Sequence, residues 1–283
     1  MTRGCEPGVL TQSSLLEWGM PRLRDLPWRR TRDPWAILVS EVMLQQTQVL
    51  RVIPKWLAFM DAYPTPVDCA QSALGDVLRL WQGLGYPRRA RNLHMAAAQV
   101  ARLGEFPTTL DQLLTLPGVG QYTARAVMAF AFESDVAVVD TNIARVFARV
   151  GGGPLTARQV QMAADQAQPS GLGWEWNQCL MELGAVLCRP TPNCAECPLV
   201  TVCVWHGVGP DPAIGSAGVS RPQSRFEGSE RQARGRLLKA LTSGPVTAMQ
   251  ARSVLSHPAG DRLLIALCDE GLVCHEGHTV RLP

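Results

Sequence analysis

The stretch LPGVGQYTARAVMAF, from Leu116 to Phe130, places a Pro-Gly-x-Gly turn directly before an apolar helical pattern. The first backbone N–H groups of a helix have no partners inside it and can point at a phosphate. We expect such a contact at Gly118, Val119 and Gly120, after a helix predicted over Thr109 to Thr115. A lone Gly-x-Gly is weak support, since most such turns are simple tight loops.

Outward from this turn, the chain from Leu15 to about Leu187 is a succession of helical patterns broken by proline and glycine. The predicted fold class is therefore mainly α. Residues 207–230 are rich in glycine, proline and serine and are predicted to form a flexible linker. Residues 231–283 show three helical patterns and a hairpin-like alternation, which together resemble a winged-helix module. Binding to DNA and simple packing are both open as roles for this module.

Four cysteines, in the pattern Cys188-x5-Cys194-x2-Cys197-x5-Cys203, follow a helical pattern that ends near Leu187. Ligands so close together in sequence indicate a metal site. Zinc sites usually pair two short Cys-x2–4-Cys knuckles across a longer gap, and this stretch has only one such knuckle. An iron–sulfur cluster is therefore the preferred prediction, with zinc and four unrelated cysteines as the alternatives.

Two carboxylates stand out. Asp140, in VVDTNIARVFARV, follows an apolar pair and is placed to cap a helix that begins near Asn142. Glu41, in SEVMLQQTQV, is predicted to share a helix face with Ile37, away from Val39. Burial beside apolar groups raises the pKa of a carboxyl, as a proton donor at neutral pH requires. A surface glutamate on an amphipathic helix is the alternative for Glu41.

The overall charge is modest. The 283 residues carry a formal net charge of +3, which permits a nucleic-acid partner without requiring one. Of the 27 basic residues other than histidine, only Lys55 and Lys239 are lysines. The segment from Met1 to Trp18 lacks the pattern of a signal peptide, and no stretch approaches the length of an apolar membrane span. We expect a soluble intracellular protein with no membrane partner, located in the bacterial cytoplasm with the nucleoid.

The order of hairpin, helix, aspartate and cysteine cluster resembles the helix-hairpin-helix DNA glycosylase superfamily that carries a [4Fe-4S] cluster. The resemblance spans about Leu15 to Cys203, and MutY-type adenine DNA glycosylases match best. It implies a fold of two helical lobes with a cluster loop at residues 188–203, and a catalytic region over residues 1–206. Five motifs carry it: LPWR (Leu26–Arg29), DPW (Asp33–Trp35), SEVMLQQTQV (Ser40–Val49), WQGLGY (Trp81–Tyr86) and NQCLMELGAVLC (Asn177–Cys188).

The resemblance also implies residue roles. Glu41 would protonate the departing adenine and then activate water, and Asp140 would stabilise the sugar cation or bond to it briefly. The adenine must be flipped out of the duplex first. Residues expected to line or support its pocket are Trp28, Arg29, Leu44, Tyr122, Asn142 and Gln178. Residues expected to contact the opposite strand are Gln46, Thr47, Leu84 and Tyr86. The implied partner is duplex DNA with adenine opposite 8-oxoguanine or guanine, bound by a monomer.

Tyr122 bears on the reaction type. Relatives that also cleave the DNA backbone, such as endonuclease III, carry a Schiff-base lysine two residues after the hairpin glycine. Tyrosine at this position predicts base removal that leaves an intact abasic strand. Mismatch thymine glycosylases also have tyrosine here, so removal of thymine or uracil opposite guanine is the alternative. A non-catalytic iron–sulfur DNA-binding protein is a third reading.

The chain departs from the family pattern at several points. Five residues, RPTPN, separate the first two cluster cysteines where six are usual, and Thr141 stands where many relatives have glycine. The 53 residues from Arg231 to Pro283 are too few for the MutT-like domain that helps relatives recognise 8-oxoguanine. After WQGLGY come three arginines expected either to contact phosphates or to form a solvated helix face: Arg88, Arg89 and Arg91.

Overall fold

The computed structural model describes residues 12–219 and 225–283. Residues 1–11, in the segment inspected for a signal peptide, and residues 220–224, in the predicted linker, lie outside them. The described chain divides into two compact units. Unit 1 holds residues 12–34, 108–110 and 120–219, and unit 2 holds residues 35–107, 111–119 and 225–283. Both are mainly helical, which confirms the predicted fold class.

The secondary structure follows the predicted sequence of short helices. Short 3-10 helices occupy Met20–Arg22, Pro27–Arg30 and Cys194–Glu196. In chain order the α-helices are α1 (Gln12–Gly19), α2 (Pro34–Leu44), α3 (Val49–Ala62), α4 (Pro66–Gln71), α5 (Leu74–Trp81), α6 (Arg88–Leu103), α7 (Leu110–Leu114), α8 (Gln121–Ala131), α9 (Thr141–Gly151), α10 (Ala157–Ala167), α11 (Gly173–Val186), α12 (Glu230–Thr242), α13 (Ala248–Leu255) and α14 (Gly260–Asp269). The strands are β1 (Val246–Thr247), β2 (Cys274–Glu276) and β3 (Thr279–Arg281). No helix in these described ranges is long and apolar enough to cross a lipid bilayer.

The core of unit 1 is built around helix α11, which packs against α1 and α9. Trp176, Leu180 and Leu183 are buried and recur at the i, i+4, i+7 spacing that places side chains on one helix face. Leu15 of α1 and Ile143 of α9 are buried in the same cluster. The helix that precedes the cysteines is therefore the central element of this unit.

Helix α2 of unit 2 is buried along nearly its whole length, from Trp35 to Met43. Ile37 and Val39 were expected on opposite faces, yet both are buried. Over PWAILVSEVML only Ser40 and Glu41 carry strongly polar side chains, so the helix has no polar stripe to turn toward water. Glu41 is only 4% exposed. The predicted burial of Glu41 beside apolar groups is therefore confirmed.

The carboxy-terminal residues form a small α/β module, with helices α12 to α14 and a three-stranded antiparallel sheet in the order β1-β3-β2. The predicted hairpin is confirmed, since Glu276 of β2 pairs with Thr279 of β3. Strand β1 was expected as a turn. It is only two residues long, too short to show alternation, and is recognisable only from its pairing with β3.

The first part of the predicted linker packs on unit 1. Ala217 N–H donates to the Leu155 carbonyl over 2.8 Å, and Ser216 is buried. Asp211 forms an ion pair with Arg149 at 2.7 Å. Residues 211–217 therefore have fixed partners in this unit.

The chain end is held by helix α5 within unit 2. Gly75 N–H donates to the Pro283 carbonyl over 3.0 Å. A Cβ added at Gly75 would lie 2.6 Å from that oxygen, closer than real Cβ contacts. A side chain at residue 75 therefore has to displace the chain end.

We expect Gly75→Ala to lower the free energy of unfolding by about 1–3 kcal/mol, because overpacking of this size shifts the backbone. Gly235→Ala is the matched control. Gly235 is an exposed glycine within α12 whose added Cβ meets nothing within 4 Å. This control should gain about 0.5–1 kcal/mol from better helix propensity. Urea unfolding of both variants measures the difference, and equal effects would contradict the role of the Pro283 contact.

Candidate functional site

Asp140 is the N-cap of helix α9 in unit 1. Its Oδ1 accepts a 2.7 Å hydrogen bond from Ile143 N–H, which confirms the predicted cap. Its Oδ2 accepts a 3.1 Å hydrogen bond from the Asn142 side chain. Burial raises the pKa of Asp140, and these two hydrogen bonds act against that rise by favouring the carboxylate. The cap fixes the carboxyl group at the helix end.

A chain of hydrogen bonds leads from Asp140 to the cysteine loop. Asn142 donates to Asp140, and its side-chain oxygen accepts a 2.8 Å bond from Arg145 Nη2. Arg145 Nε donates to the Cys188 carbonyl over 2.7 Å. Its Nη2 also donates to the Gly184 carbonyl at the end of α11 over 2.7 Å. The orientation of Asp140 is thus tied to the first cysteine of the loop.

The four predicted metal-binding cysteines come together in unit 1. Cys188, Cys194, Cys197 and Cys203 line one pocket, together with Arg149 and Trp205. In the part of the chain that the structure describes, no three histidine, cysteine or acidic side chains converge as ligands of a single ion. The described cysteines are free thiols and form no disulfides with one another. The four cysteines therefore share the lining of one pocket.

Arg149 organises this loop from helix α9, and its side chain is 1% exposed. Its guanidinium contacts Cys188 Sγ at 3.4 Å and stacks on the Trp205 ring at 4.5 Å. It also donates to the carbonyls of Cys188, Arg189 and Pro190. A second donor to sulfur is His206 N–H, 3.3 Å from Cys203 Sγ. N–H donors to sulfur favour the thiolate form that metals bind.

Burial opposes that preference when no metal is bound. It raises the pKa of the Cys197 thiol to about 11 and the pKa of the Cys188 thiol in the same direction. These sulfurs hold their protons at neutral pH unless a positively charged group takes them as thiolates. The donor set is therefore suited to a metal centre.

A second group in unit 1 contains two predicted pocket residues. Arg29 Nε donates to Gln178 Oε1 over 2.7 Å, and Arg29 Nη2 contacts Glu182 Oε2 at 2.9 Å. Arg24 pairs with the other oxygen of Glu182 at 2.5 Å. The Glu182 side chain is 0% exposed, so it is a fully buried carboxyl group with two arginine partners. Glu182 holds Arg29 against Gln178, four residues earlier on the same face of α11.

The other pocket residues predicted for this unit are spread over several elements. Trp28 is buried in the 3-10 helix Pro27–Arg30, and Tyr122 is half-buried in the first turn of α8. Asn142 is half-buried beside Asp140. The structure therefore groups Arg29 with Gln178 and Asn142 with Asp140. Glu41 and Leu44 belong to unit 2, on helix α2.

The residues expected to contact the opposite strand lie on two loops of unit 2, after α2 and after α5. Thr47 Oγ1 donates to the Leu84 carbonyl over 3.2 Å, which joins the two loops. Gln46 and Tyr86 have φ values of 54° and 48°, in the left-handed region. Such a backbone costs about 1–3 kcal/mol per residue outside glycine and tends to occur at functional sites. The Thr47–Leu84 bond therefore joins the two loops that carry these four residues.

Arg89 holds both loops in place, which corrects the expectation that it contacts phosphate or lies on a solvated face. Its guanidinium stacks on Trp81 and Tyr86, with centroid distances of 5.4 and 5.5 Å. Burial lowers its pKa to about 10. It donates at 2.7–3.1 Å to the carbonyls of Val42, Met43, Gln45, Leu84 and Gly85. Arg89 thus caps the end of the Glu41 helix and closes the loop of Tyr86.

The hairpin turn is held by its own hydrogen bond, from Val119 N–H to the Leu116 carbonyl at 3.1 Å. Val119 is buried, while Gly118 and Gly120 are exposed. Gly118 has a φ of 78°, and a Cβ there would lie 2.7 Å from Asn92 Cβ. Only glycine meets both demands at this position.

The chain is similar to proteins of known function. Residues 39–168 match the model of the HhH-GPD superfamily of base excision DNA repair proteins. The adenine DNA glycosylase of Mycolicibacterium smegmatis is 44% identical over 271 residues, which cover 92% of this chain and 91% of that protein. The chain belongs to the MutY-type adenine DNA glycosylase family. The resemblance that the motifs predicted is therefore confirmed.

Solved structures agree with this family at the level of the fold. A thermostable thymine-DNA glycosylase matches with a TM-score of 0.66 and 32% identity, over 69% of this chain and 94% of that one. A non-covalent complex of endonuclease III with DNA matches with a TM-score of 0.61 and 25% identity, over 69% and 92%. Glu41, the hairpin and Asp140 fall inside the range of the superfamily model, and the four cysteines lie beyond it.

Several residues that hold this family's candidate site were absent from the sequence-based prediction. Arg145, Arg149 and Glu182 are charged, yet each lies among apolar neighbours in a helical pattern. A charged residue at an apolar position of a helical pattern could have indicated these sites, since a charged group on a buried helix face needs a partner. The identity of the partner depends on contacts between distant segments.

We expect Arg89→Lys to lower the free energy of unfolding by about 2–4 kcal/mol, because one ammonium group cannot replace a guanidinium that serves five carbonyls. Arg102→Lys is the matched control, since Arg102 is exposed in the last turn of the same helix. Urea unfolding of both variants is the measurement. Equal losses would show that Arg89 does not clamp the two loops.

Proposed function

We propose that this chain is a monofunctional adenine DNA glycosylase that acts on duplex DNA with adenine opposite 8-oxoguanine or guanine. The observation that carries the proposal is the 44% identity to an adenine DNA glycosylase over nearly the whole of both chains. A duplex DNA substrate places the activity at the nucleoid of the bacterial cytoplasm, where the protein acts as a monomer.

Two carboxyl groups do the chemistry in this proposal. Cleavage of an N-glycosidic bond develops positive charge on the sugar, so an acid must protonate the leaving base while a carboxylate stabilises the cation. Glu41 is nearly excluded from water, which suits the proton donor. Asp140 receives hydrogen bonds from Ile143 and Asn142 that favour its anionic form. Glu41 then activates the water that completes hydrolysis and leaves an abasic site.

The remaining predicted residues bind and present the DNA. The residues that the proposal assigns to adenine binding are Trp28, Arg29, Leu44, Asn142 and Gln178. Tyr122 carries no amine and cannot form a Schiff base with the sugar. Of the two lysines, Lys55 donates to the Leu80 carbonyl over 3.1 Å and is engaged within the protein. These features support base removal without strand cleavage.

The test is base release from duplexes that hold adenine opposite 8-oxoguanine, adenine opposite guanine, or thymine or uracil opposite guanine. We expect strand breakage at adenine only, and only after alkali. Glu41→Gln and Asp140→Asn should each slow release by about 10²–10⁴-fold, as loss of a general acid or of a charge-stabilising group does. Release of thymine or uracil instead, or full activity of Glu41→Gln, would overturn the proposal.

We also propose that the four cysteines hold a [4Fe-4S] cluster. The fit rests on the pocket that all four cysteines line and on the N–H donors from Arg149 and His206. Bound there, the cluster would join four positions of residues 188–203 and stabilise this loop next to α9. Zinc fits less well, because zinc sites usually pair two short Cys-x2–4-Cys knuckles across a longer gap, and this stretch has one such knuckle.

Iron, sulfide and zinc analysis of the purified protein tests this assignment. We expect about four iron and four sulfide per chain, and loss of both in Cys197→Ser. Arg149→Met should also lower the iron content and destabilise the protein by about 3–5 kcal/mol, because Asp211 loses its buried partner. Arg158→Met, at an exposed position of α10, is the control and should retain iron. One zinc per chain would exclude the cluster.

A further inference from the structure

The carboxy-terminal module contacts a loop that the proposed function assigns to DNA. Arg231, in the first turn of α12, donates from Nη1 to the Tyr86 hydroxyl over 3.1 Å. Its guanidinium also lies over the Phe226 ring, with a centroid distance of 5.4 Å. Arg231 and Tyr86 are both half-buried. The module therefore reaches the end of the tyrosine side chain.

This contact is held by an ion-pair network within unit 2. Glu270, at the end of α14, pairs with Arg88 of α6 at 2.5 Å and with Arg234 of α12. Arg91 of α6 donates to the Glu270 carbonyl. The Arg88 hydrogen bond, followed by that of Arg234, lowers the pKa of Glu270 to about 2. The two arginines expected to meet phosphate or solvent, Arg88 and Arg91, instead bind the module.

The network and Tyr86 belong to the same stretch of chain. Tyr86 lies two residues before Arg88, the first residue of α6. The module is therefore attached at the start of the helix that carries the tyrosine loop, and again at Gly75 of α5 through the Pro283 carbonyl. Since two elements next to the loop are fixed to the module, α12 presents Arg231 at a defined position.

We propose that Arg231 is a positioning residue for Tyr86, and that the module helps through it to recognise the base opposite the adenine. This inference rests on the proposed function, in which Tyr86 contacts the partner base. Tyr86 already has a left-handed backbone, with a φ of 48°, and Arg89 stacks on its ring. The hydrogen bond from Arg231 fixes the orientation of the Tyr86 side chain at its hydroxyl end. A ring held at both ends meets the partner base without loss of rotamer entropy on binding.

The test is a double-mutant cycle on the complete protein with Tyr86→Phe, Arg231→Gln and the double variant. Tyr86→Phe deletes the hydroxyl and leaves the module untouched, which keeps the test valid if Arg231→Gln perturbs folding. The readouts are affinity for duplexes with adenine opposite 8-oxoguanine or guanine, and the single-turnover rate of base release at saturating enzyme. Arg252→Gln is the control, because Arg252 pairs with exposed Asp261 elsewhere in the module.

We expect Tyr86→Phe and Arg231→Gln each to weaken binding of the 8-oxoguanine duplex by about 3- to 10-fold, the scale of one typical intramolecular hydrogen bond. The ratio of the two affinities should fall, while the saturated rate of Arg231→Gln should stay unchanged. The double variant should lose no more affinity than either single variant does, because the two residues act as one unit. Arg252→Gln should match the wild type.

Additive losses, or unchanged affinities in Arg231→Gln, would overturn the role of Arg231 while the wild type still released adenine. Failure of the wild type to release adenine from any duplex would instead overturn the proposed function. The binding cycle would still decide the Tyr86–Arg231 pair in that case. The two failures are thus distinguishable.

Discussion

The buried guanidinium of Arg149 is the interaction on which the cysteine loop depends. A cation that is 1% exposed is tolerated only when its donors are satisfied, and Arg149 meets this demand with Asp211 and with loop carbonyls. The loop folds against helix α9 because its carbonyls supply those acceptors. Arg145, one turn earlier on the same helix, extends the arrangement to Asn142 and Asp140. One face of α9 therefore serves both the cysteines and the candidate catalytic carboxylate.

A buried arginine also joins backbone segments in unit 2. Arg89 donates to backbone carbonyls at the end of α2 and in the loop of Tyr86, and to the Thr47 hydroxyl. Backbone carbonyls at a helix end lack intrahelical donors, and a planar guanidinium reaches several of them at once. Lysine has one compact charge and cannot do this. The scarcity of lysine, with Lys55 and Lys239 alone among 27 basic residues, agrees with arginines used as internal connectors.

The groups to which the proposal assigns the chemistry are held rigidly. Asp140 is fixed by a helix cap, and Glu41 lies within a helix that is buried on all sides. The strained backbone of Gln46 and Tyr86 persists because Arg89 and Thr47 hold the surrounding loops. In unit 2 the carboxy-terminal module adds Arg231 to this arrangement. The surface that the motifs assign to DNA is therefore shaped by residues far along the chain.

Local patterns in the sequence were sufficient to predict the helical class, the Asp140 cap, the burial of Glu41 and the grouping of the four cysteines. Each depends on neighbours within a few turns, on cap chemistry or on ligand spacing. The sequence did not predict strand β1. It also did not predict which groups pair with Arg89, Arg145, Arg149 and Glu182. The sequence also did not predict that the module is attached through Glu270. These features join segments that are distant in sequence, and only the folded chain decides which buried charge meets which acceptor.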